Sequence, residues 1–392
     1  MTPSKLARHL FATYERFRCD HLSPANCIHG AVIPEVLKLV AASNEIMSME
    51  TLDRSIEGRS INMVTIGKGR KGILLWSQMH GDETTATLAM MDMFNYLVQK
   101  GFEEEWVAEL LAEVTLYFIP LLNPDGAEKA DRRTAAGIDM NRDALDLATP
   151  EARILRDAQH RLKPAFGFNL HDQELSSVGD SARVAAIALL APAADHKKKT
   201  SPARLRAMRL AATLTRTLNQ FAEGHLTKYD DTFEPRAFGD NMQRWGTSTV
   251  LIESGHWPND PRKDFIRKLN YTCILSGLST IGNGSYQDVD LDYYAGLPPN
   301  TKRIYDVIVR DVKLRHSSGW TYPVDIGLTF DPLCNKNAGV PVATIKDIGD
   351  LSTHGALQSY DARARTIGAE MLPVNQSLPL KNILDMLQLP QG

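Results

Sequence analysis

Apolar and polar residues follow two rhythms along most of the chain. Residues 3–17 and 32–42 carry apolar side chains at helical spacing, whereas "SINMVTIG" (60–67) alternates with the period of a strand. The apolar run "ILLWSQ" follows as another strand, and the "GKGRKG" segment (67–72) before it reads as a hairpin turn. That segment has the GxGxxG spelling of a dinucleotide loop, but a strand follows it where phosphate binding needs the start of a helix. "TTATLAMMDMFNYLVQK" (84–100), free of Gly and Pro, predicts a long helix.

The alternation continues. "EVTLYFIPLL" (113–122) predicts a buried strand that ends in the turn-forming "NPDG". "PEARILRDAQHRL" (150–162) opens with Pro, as helices often do, and leads into the short apolar strand "AFGFNLH" (165–171). "RVAAIALLAP" (183–192) and "TSTVLIESG" (247–255) are further strands, and residues 203–222 and 260–281 are helices. Strands alternating with helices predict an α/β fold with a mixed, mostly parallel central sheet flanked by helices. From about residue 284 the texture changes to short strands such as "YDVIVRDVKL" and "VDIGLTF" with one amphipathic tail, "LKNILDMLQL". This part is expected to be a small β-rich C-terminal domain.

Bulk properties narrow the partners. At 392 residues the chain exceeds the usual size of one core, and 43% hydrophobic with 23% charged residues is an ordinary globular composition. A net charge of −3 gives no reason to expect nucleic acid or a membrane surface as partner, and the basic run at 196–209 reads as a solvated loop entering a helix. The amino terminus lacks the unbroken apolar stretch of a signal peptide, and no segment approaches the roughly 18 apolar residues of a membrane span. Cys19, Cys27, Cys273 and Cys334 lie far apart without a CxxC pair, which favours free thiols in a reducing compartment. A Cys19–Cys27 bridge is the pairing that the spacing leaves open. A cytoplasmic protein is the expectation.

In open α/β sheets ligands gather beyond the carboxyl ends of the strands. The polar residues at those ends are His80 and Glu83, then Asn123-Pro124-Asp125-Gly126, His171-Asp172 and Glu253-Ser254-Gly255. A lone histidine at a strand end is an ordinary hydrogen-bonding residue. Metal-type or acid-type side chains at four strand ends form a pattern. His80, Glu83 and His171 supply the His2Glu set that a catalytic zinc site uses while keeping one position open. Imidazole and carboxylate also suit other divalent ions, with zinc the first choice for this mixture. The spelling is not HExxH, so the helical zinc-peptidase motif is absent. Glu253 is a charged residue in an apolar strand, costly there unless paired or functional.

Taken in order, "HGDE" (80–83), "NPDG" (123–126), "RRTAAGIDMNRD" (132–143), "NLHD" (169–172) and "LIESG" (251–255) resemble the zinc metallocarboxypeptidases of carboxypeptidase A type, over roughly residues 45 to 285. The resemblance implies an α/β/α sandwich and a single Zn2+ held by His80, Glu83 and His171. It makes Glu253 the general base on the metal-activated water and Arg132 the oxyanion stabiliser, with adjacent Arg133 as the alternative. Asn141 and Arg142 would grip the substrate carboxylate, and Asp139 would accept the ring N–H of His80 and fix its tautomer.

The pattern also departs from that family. The loop "KYDDTFEPRAFGDNMQRWGTST" offers only Tyr229 as a poor match for a mobile active-site tyrosine. Arg236, Asn241 and Trp245 are the candidates to shape the pocket, Trp245 equally as core packing. "NRDA" replaces an aromatic-ended segment. Asp172 and Glu174 beside His171 leave room for a second metal. The expected division is an N-terminal helical extension at 1–45, a carboxypeptidase-like catalytic domain at 46–285 and the β-rich domain at 286–392. The expected function is a zinc-dependent carboxypeptidase-type hydrolase acting on a peptide or acyl-amino-acid substrate with a free carboxylate. An N-acyl amino-acid deacylase and a non-catalytic binding module on the same fold are the alternatives.

Overall fold

The computed structural model describes residues 2–43, 45–100, 104–330, 341–387 and 389, so Cys334 lies outside the described residues. Its chain forms two compact units: one of Met1–Gln173, Ala186–Gly255 and Arg262–Pro299, the other of Glu174–Ala185, His256–Pro261 and Asn300–Gly392. This partition differs from three consecutive segments, because two short stretches of the middle of the chain group with the C-terminal strands and residues 286–299 group with the larger unit.

The larger unit is built on an eight-stranded sheet. Its strands are β1 (Met47–Arg54), β2 (Ser60–Ile66), β3 (Lys71–Trp76), β4 (Val114–Ile119), β5 (Phe166–Asp172), β7 (Ile187–Leu190), β8 (Leu226–Lys228) and β9 (Ser248–Ser254). The omitted β6 (Ser177–Val178) belongs to the other unit. The spatial order is β1-β2-β4-β3-β5-β9-β7-β8. Strands β4, β3, β5 and β9 run parallel at the centre, β1 and β2 pair antiparallel with their neighbours, and β7 is antiparallel to β9 but parallel to β8. The mixed, mostly parallel sheet expected from the alternation is present.

Both alternating sets of β3 are buried, Ile73 and Leu75 as well as Leu74 and Trp76, so both faces of the sheet need helices. Helices α6 (Pro150–Leu162) and α8 (Phe238–Arg244) supply one cover, with Leu155, Phe238 and Met242 in one core with Leu74 and Trp76. Helices α3 (Thr85–Lys100) and α7 (Pro202–Leu218) each pack on α9 (Asp264–Asn283), α3 also on β5, and α7 and α9 on β9. The N-terminal α1 (Pro3–Thr13) and α2 (His29–Ala42) are part of this unit, α1 against α9 and α2 against α3.

The hairpin expected at 67–72 is corrected. Strands β2 and β3 are not paired, because β4 lies between them. The loop wraps the start of β4: Gly69 N–H donates to the Val114 carbonyl at 3.2 Å, and a Cβ on Gly69 would fall on the Glu113–Val114 backbone. Glycine spacing that looks like a tight turn here serves a close backbone crossing.

In the smaller unit, β11 (Ile304–Arg315), β12 (Thr321–Phe330), β13 (Val342–Gly349), β14 (Gly355–Asp361) and β16 (Ser377–Pro379) form a sheet in the order β14-β11-β12-β13-β16. Strand β15 (Thr366–Gly368) also pairs with β11, and β10 (Asn300–Thr301) pairs with β6. Inward Val307, Val309, Ile326 and Leu328 share a core with Ile383 and Leu384 of a final helix (Leu380–Met386). The β-rich texture and amphipathic tail read from the sequence take this form.

Two polar loops in the larger unit meet backbone to backbone. A Cβ on Gly81 would fall on the Gly126–Ala127 backbone, and one on Gly126 would meet the Arg133 and Asp131 carbonyl oxygens at 2.7 and 2.8 Å. Gly126 lies in the short helix α5 (Pro124–Lys129), whose first turn Asn123 caps by accepting the Gly126 N–H at 2.9 Å. Helix α4 (Glu105–Glu113) leads into β4 from the other side of the loop at Gly69. No helix among the described residues is long and apolar enough to cross a membrane.

Two stability measurements test this account. Gly81→Ala should lower the urea unfolding free energy by about 1–3 kcal/mol, since neither backbone can withdraw; an unchanged midpoint would refute the close approach. Glu151, buried in the first turn of α6, meets no hydrogen-bonding side chain among the described residues, and burial pushes its pKa up to about 7. A carboxyl raised in the folded state favours folding below its unfolded value and loses that advantage as pH climbs through about 7. Glu151→Gln should therefore match the parent at pH about 4 and exceed it at pH about 8 by up to ~3 kcal/mol. Equal differences at both pH values would show that Glu151 is not buried as a neutral acid.

Candidate metal centre

The four central strands end on one edge of the sheet, and their loops bring the expected residues together. After β3 the chain passes through Gln78, held at a left-handed φ of 46°, and turns at His80, whose carbonyl accepts the Glu83 N–H at 3.1 Å. Glu83 thus stands just before α3. His171 occupies the last turn of the ladder in β5, and it pairs in register with Glu253 of β9. In-register residues of neighbouring strands share a face, so the ladder itself places the acid beside the imidazole.

His80, Glu83 and His171 form the one group of His, Cys, Asp and Glu side chains, among the described residues, whose ligand atoms lie within 4.8 Å of one another. All three are buried. Glu83 Oε1 lies 2.7 Å from His80 Nδ1, Oε2 lies 2.7 Å from His171 Nδ1, and the two Nδ1 atoms are 3.2 Å apart. Asp139 Oδ1 is 3.1 Å from His80 Nε2. With Asp139 accepting the Nε2–H, His80 presents the lone pair of Nδ1 to its neighbours, an assignment made from the partner. Four electron-pair donor atoms therefore face one another. Protons satisfy only some of them, whereas one divalent cation satisfies them together, so the donor set fits a metal ion.

Asp139 organises more than the imidazole. Its Oδ1 accepts the Asn141 N–H at 2.9 Å, capping the short turn Met140–Arg142, and its Oδ2 accepts Arg132 Nε–H at 3.2 Å. Arg132 also donates from Nη1 to Glu83 Oε1 at 3.0 Å. Arg133, the alternative, donates instead to the Gly137 carbonyl. The segment is anchored by Asn123, whose Nδ2 donates to the Arg133 carbonyl at 3.2 Å. The "NPDG" turn is thus architectural, and buried Asp125 within it accepts from Ser55 and pairs with Arg59.

Electrostatics follow from burial and these contacts. For Glu83, burial opposes charge, but the two imidazoles hold the carboxyl far below its ordinary range. For His80, burial also opposes charge, yet Glu83 and the Asp139 hydrogen bond lift its pKa to about 9. His171 is lowered, because burial outweighs the pull of Glu83. Glu253 is pushed up by burial and then by the Glu83 carboxylate, and its Oε2 has no hydrogen-bond partner among the described residues.

Asn141 Oδ1 accepts the Phe238 N–H at 2.9 Å, which fixes the amide and leaves its Nδ2 as donor. Arg142 is part-exposed, with Nη1 donating to the Asn141 carbonyl and Nε 3.6 Å from Glu234 Oε2. Of the pocket-shaping candidates, Asn241 donates to the Pro235 and Ala237 carbonyls, and Trp245 packs edge-on against His160 and Phe238. The Tyr229 N–H donates to Leu189, continuing the β7–β8 ladder.

Several supporting residues carried no sequence signal. Gln78 donates from Nε2 to the Gly81 and Cys27 carbonyls at 2.9 and 3.1 Å, holding the loop of the first two ligands. Lys263 reaches Asp172 Oδ2 at 3.2 Å and the Ser254 carbonyl at 3.3 Å, and Thr85 donates to the same Asp172 oxygen at 2.6 Å. The Asp172 N–H donates to Glu83 Oε2 at 3.2 Å. Asp172, an acid beside a ligand, is thereby tied to a lysine and a threonine, while Glu174 pairs with Lys302 in the smaller unit. Cys19, Cys27 and Cys273 are buried free thiols.

Residues 33–176 match a family model described as zinc carboxypeptidase. That segment contains His80, Glu83, Arg132, Asp139, Asn141, Arg142 and His171, while Glu253 lies beyond it. Over 147 residues the chain is 26% identical to carboxypeptidase 2 of Trichophyton tonsurans, covering 35% of this chain and 27% of that protein. The chain therefore spans about a quarter of the length of this relative. Its fold is similar to that of a metallo-carboxypeptidase from Burkholderia cenocepacia, with a TM-score of 0.50 at 17% identity over 64% of this chain and 68% of that one. It is also similar to bovine thrombin-activatable fibrinolysis inhibitor, solved in complex with tick carboxypeptidase inhibitor, with a TM-score of 0.53 at 10% identity over 66% and 97% of the two chains. Residues 33–176 are thus similar to the zinc carboxypeptidases, and the chain shares a fold with these two solved structures.

Proposed function

We propose that the protein is a zinc-dependent hydrolase of carboxypeptidase type, cleaving an amide bond next to a free carboxylate. The observation that carries this reading is the convergence of His80, Glu83 and His171 on one point, with Glu253 set beside His171 by strand register. His80, Glu83 and His171 would hold the ion, which would supply Lewis acidity for a water nucleophile near neutral pH.

The protein's own residues do the rest. Glu253 accepts the proton of the attacking water at a carboxylate oxygen and delivers it to the leaving amine. Its buried, under-partnered carboxyl binds a proton more readily than an exposed glutamate, which suits a group that must take one up and give it back. Arg132, fixed by Asp139 and Glu83, offers its guanidinium to the oxyanion that forms on the carbonyl. Asn141 donates from Nδ2 and Arg142 from its guanidinium to the substrate carboxylate, a planar match that lysine does not reproduce. Asp139 holds His80 in the tautomer that keeps Nδ1 free.

Activity and metal content separate these roles. Glu253→Gln should retain about one equivalent of zinc yet lose about 10²–10⁴-fold in kcat. His80→Ala and His171→Ala should lose the metal itself, measured by elemental analysis after dialysis. Full activity in Glu253→Gln would remove the general base from this scheme. Profiling with and without a chelator on peptides and on N-acyl amino acids decides the bond: cleavage confined to acyl amino acids would make the protein a deacylase.

A further inference from the structure

The guanidinium expected to hold the substrate carboxylate has a second guanidinium beside it. Glu234 accepts from Arg236 through both oxygens, Nε to Oε1 at 2.9 Å and Nη2 to Oε2 at 2.8 Å. The same Oε2 lies 3.6 Å from Arg142 Nε. One carboxylate therefore spans two arginines. Both are open to solvent, with side chains 41% exposed at Arg142 and 56% exposed at Arg236, while Glu234 is 28% exposed.

Backbone contacts fix this arrangement independently of the ion pairs. The Ala144 N–H donates to the Arg236 carbonyl at 3.0 Å, and Phe238 donates to Asn141 Oδ1 at 2.9 Å. The loop bearing Arg236 is thus tied on both sides to the turn bearing Asn141 and Arg142. Arg236 also feels the charge of Asp139, which holds Arg132. Asp139 thus pairs with Arg132 while Glu234 pairs with Arg142 and Arg236.

The other acids of this loop have partners. Asp230 accepts from Thr232, Asp231 from Arg204, and Asp240 from the Glu234 N–H at 3.3 Å. A pocket built to select a basic side chain needs an uncommitted carboxylate, and this loop commits its own. It has guanidinium capacity to spare: Glu234 occupies the Nε–Nη2 edge of Arg236, and a guanidinium carries five N–H donors, so Nη1 can meet a further carboxylate.

We propose that Arg236 is a specificity-determining residue that binds a second carboxylate, so that the site prefers substrates ending in an amino-dicarboxylic residue, aspartate or glutamate. The terminal carboxylate goes to Asn141 and Arg142, and the side-chain carboxylate goes to Arg236. Glu234 is a positioning residue that holds both guanidinium groups within reach of one amino acid. This inference rests on the carboxypeptidase reading.

The test uses the full-length, zinc-loaded protein and four blocked peptides that differ only in a final Glu, Gln, Leu or Lys. Glu and Gln have the same shape, so their kcat/KM ratio isolates the charge. The parent should favour Glu over Gln by about tenfold or more, mainly through KM, as expected for a charged pair formed in a part-exposed site. Arg236→Ala should bring that ratio down to about one, and Arg236→Lys should restore part of it. A parent ratio near one, a preference for Lys, or an unchanged ratio in Arg236→Ala overturns the inference while leaving the carboxypeptidase reading intact. Failure to cleave any of the four overturns both. Because the parent ratio alone can refute the idea, a variant that does not fold cannot shelter it.

Discussion

A carboxylate taken almost wholly out of water stays charged only if its surroundings replace the lost hydration, and Glu83 sets that demand for the whole centre. Its Oε1 meets His80 and Arg132, and its Oε2 meets His171 and the Asp172 N–H. Besides His80 in its own loop, these partners come from a second loop and from β5, far apart in sequence. The fold is therefore constrained at one point by electrostatics as much as by packing, since removing any of these loops leaves a buried charge under-compensated. Glu253 shows the opposite solution a short distance along the same edge. Its Oε2 has no hydrogen-bond partner among the described residues, and burial raises its proton affinity. Two glutamates at one sheet edge are thus driven to opposite protonation behaviour, the arrangement expected where one holds a cation and the other carries a proton.

The parallel order β4-β3-β5-β9 makes this possible. Because four neighbouring strands run the same way, their carboxyl ends and loops gather on one edge. An antiparallel neighbour would have sent every second loop to the far side. The strand-skipping connection from β2 to β3 belongs to the same logic, because it leaves the place beside β3 for β4 and so brings Asn123 to the edge. Gly81 and Gly126 then let the two loops touch through their backbones, which places Arg132 and Asp139 against Glu83 and His80.

Much of this was legible in the sequence. The apolar runs located every strand from β2 to β5 and β9, and polar residues directly after them marked the edge where ligands gather. His80, Glu83 and His171 could be chosen because metal ligation restricts residue type. Asp139 and Arg132 became visible only through motif resemblance, since neither residue type nor periodicity distinguishes them from surface charges. The hairpin reading at 67–72 failed for a definite reason: local turn chemistry is blind to a strand inserted from elsewhere in the chain. Gln78, Lys263 and Glu234 were missed because their importance lies in partners more than a few residues away. A glutamine in the left-handed region leaves no trace in composition, and Glu234 matters only because the fold folds it back onto Arg142.

Helices α3 and α9 both begin at the centre, one just after Glu83 and the other with Lys263 as its flanking residue, so their relative position governs two of its walls. Further along, Asp92 of α3 pairs with Arg267 of α9, both fully buried, Nε to Oδ2 at 2.6 Å. Arg267 also donates to the Leu22 and Cys19 carbonyls, while Tyr14 and the Cys19 N–H donate to Asp92. A buried ion pair adds little net stability over apolar packing, but it fixes direction and register, since a shift of either helix would strand a charge. The segment before β1 therefore acts as more than an appendage. By supplying the last hydrogen bonds that this pair requires, it locks together the two helices whose first turns carry Thr85 and Lys263 to Asp172, and through the Asp172 N–H it reaches the carboxylate of Glu83.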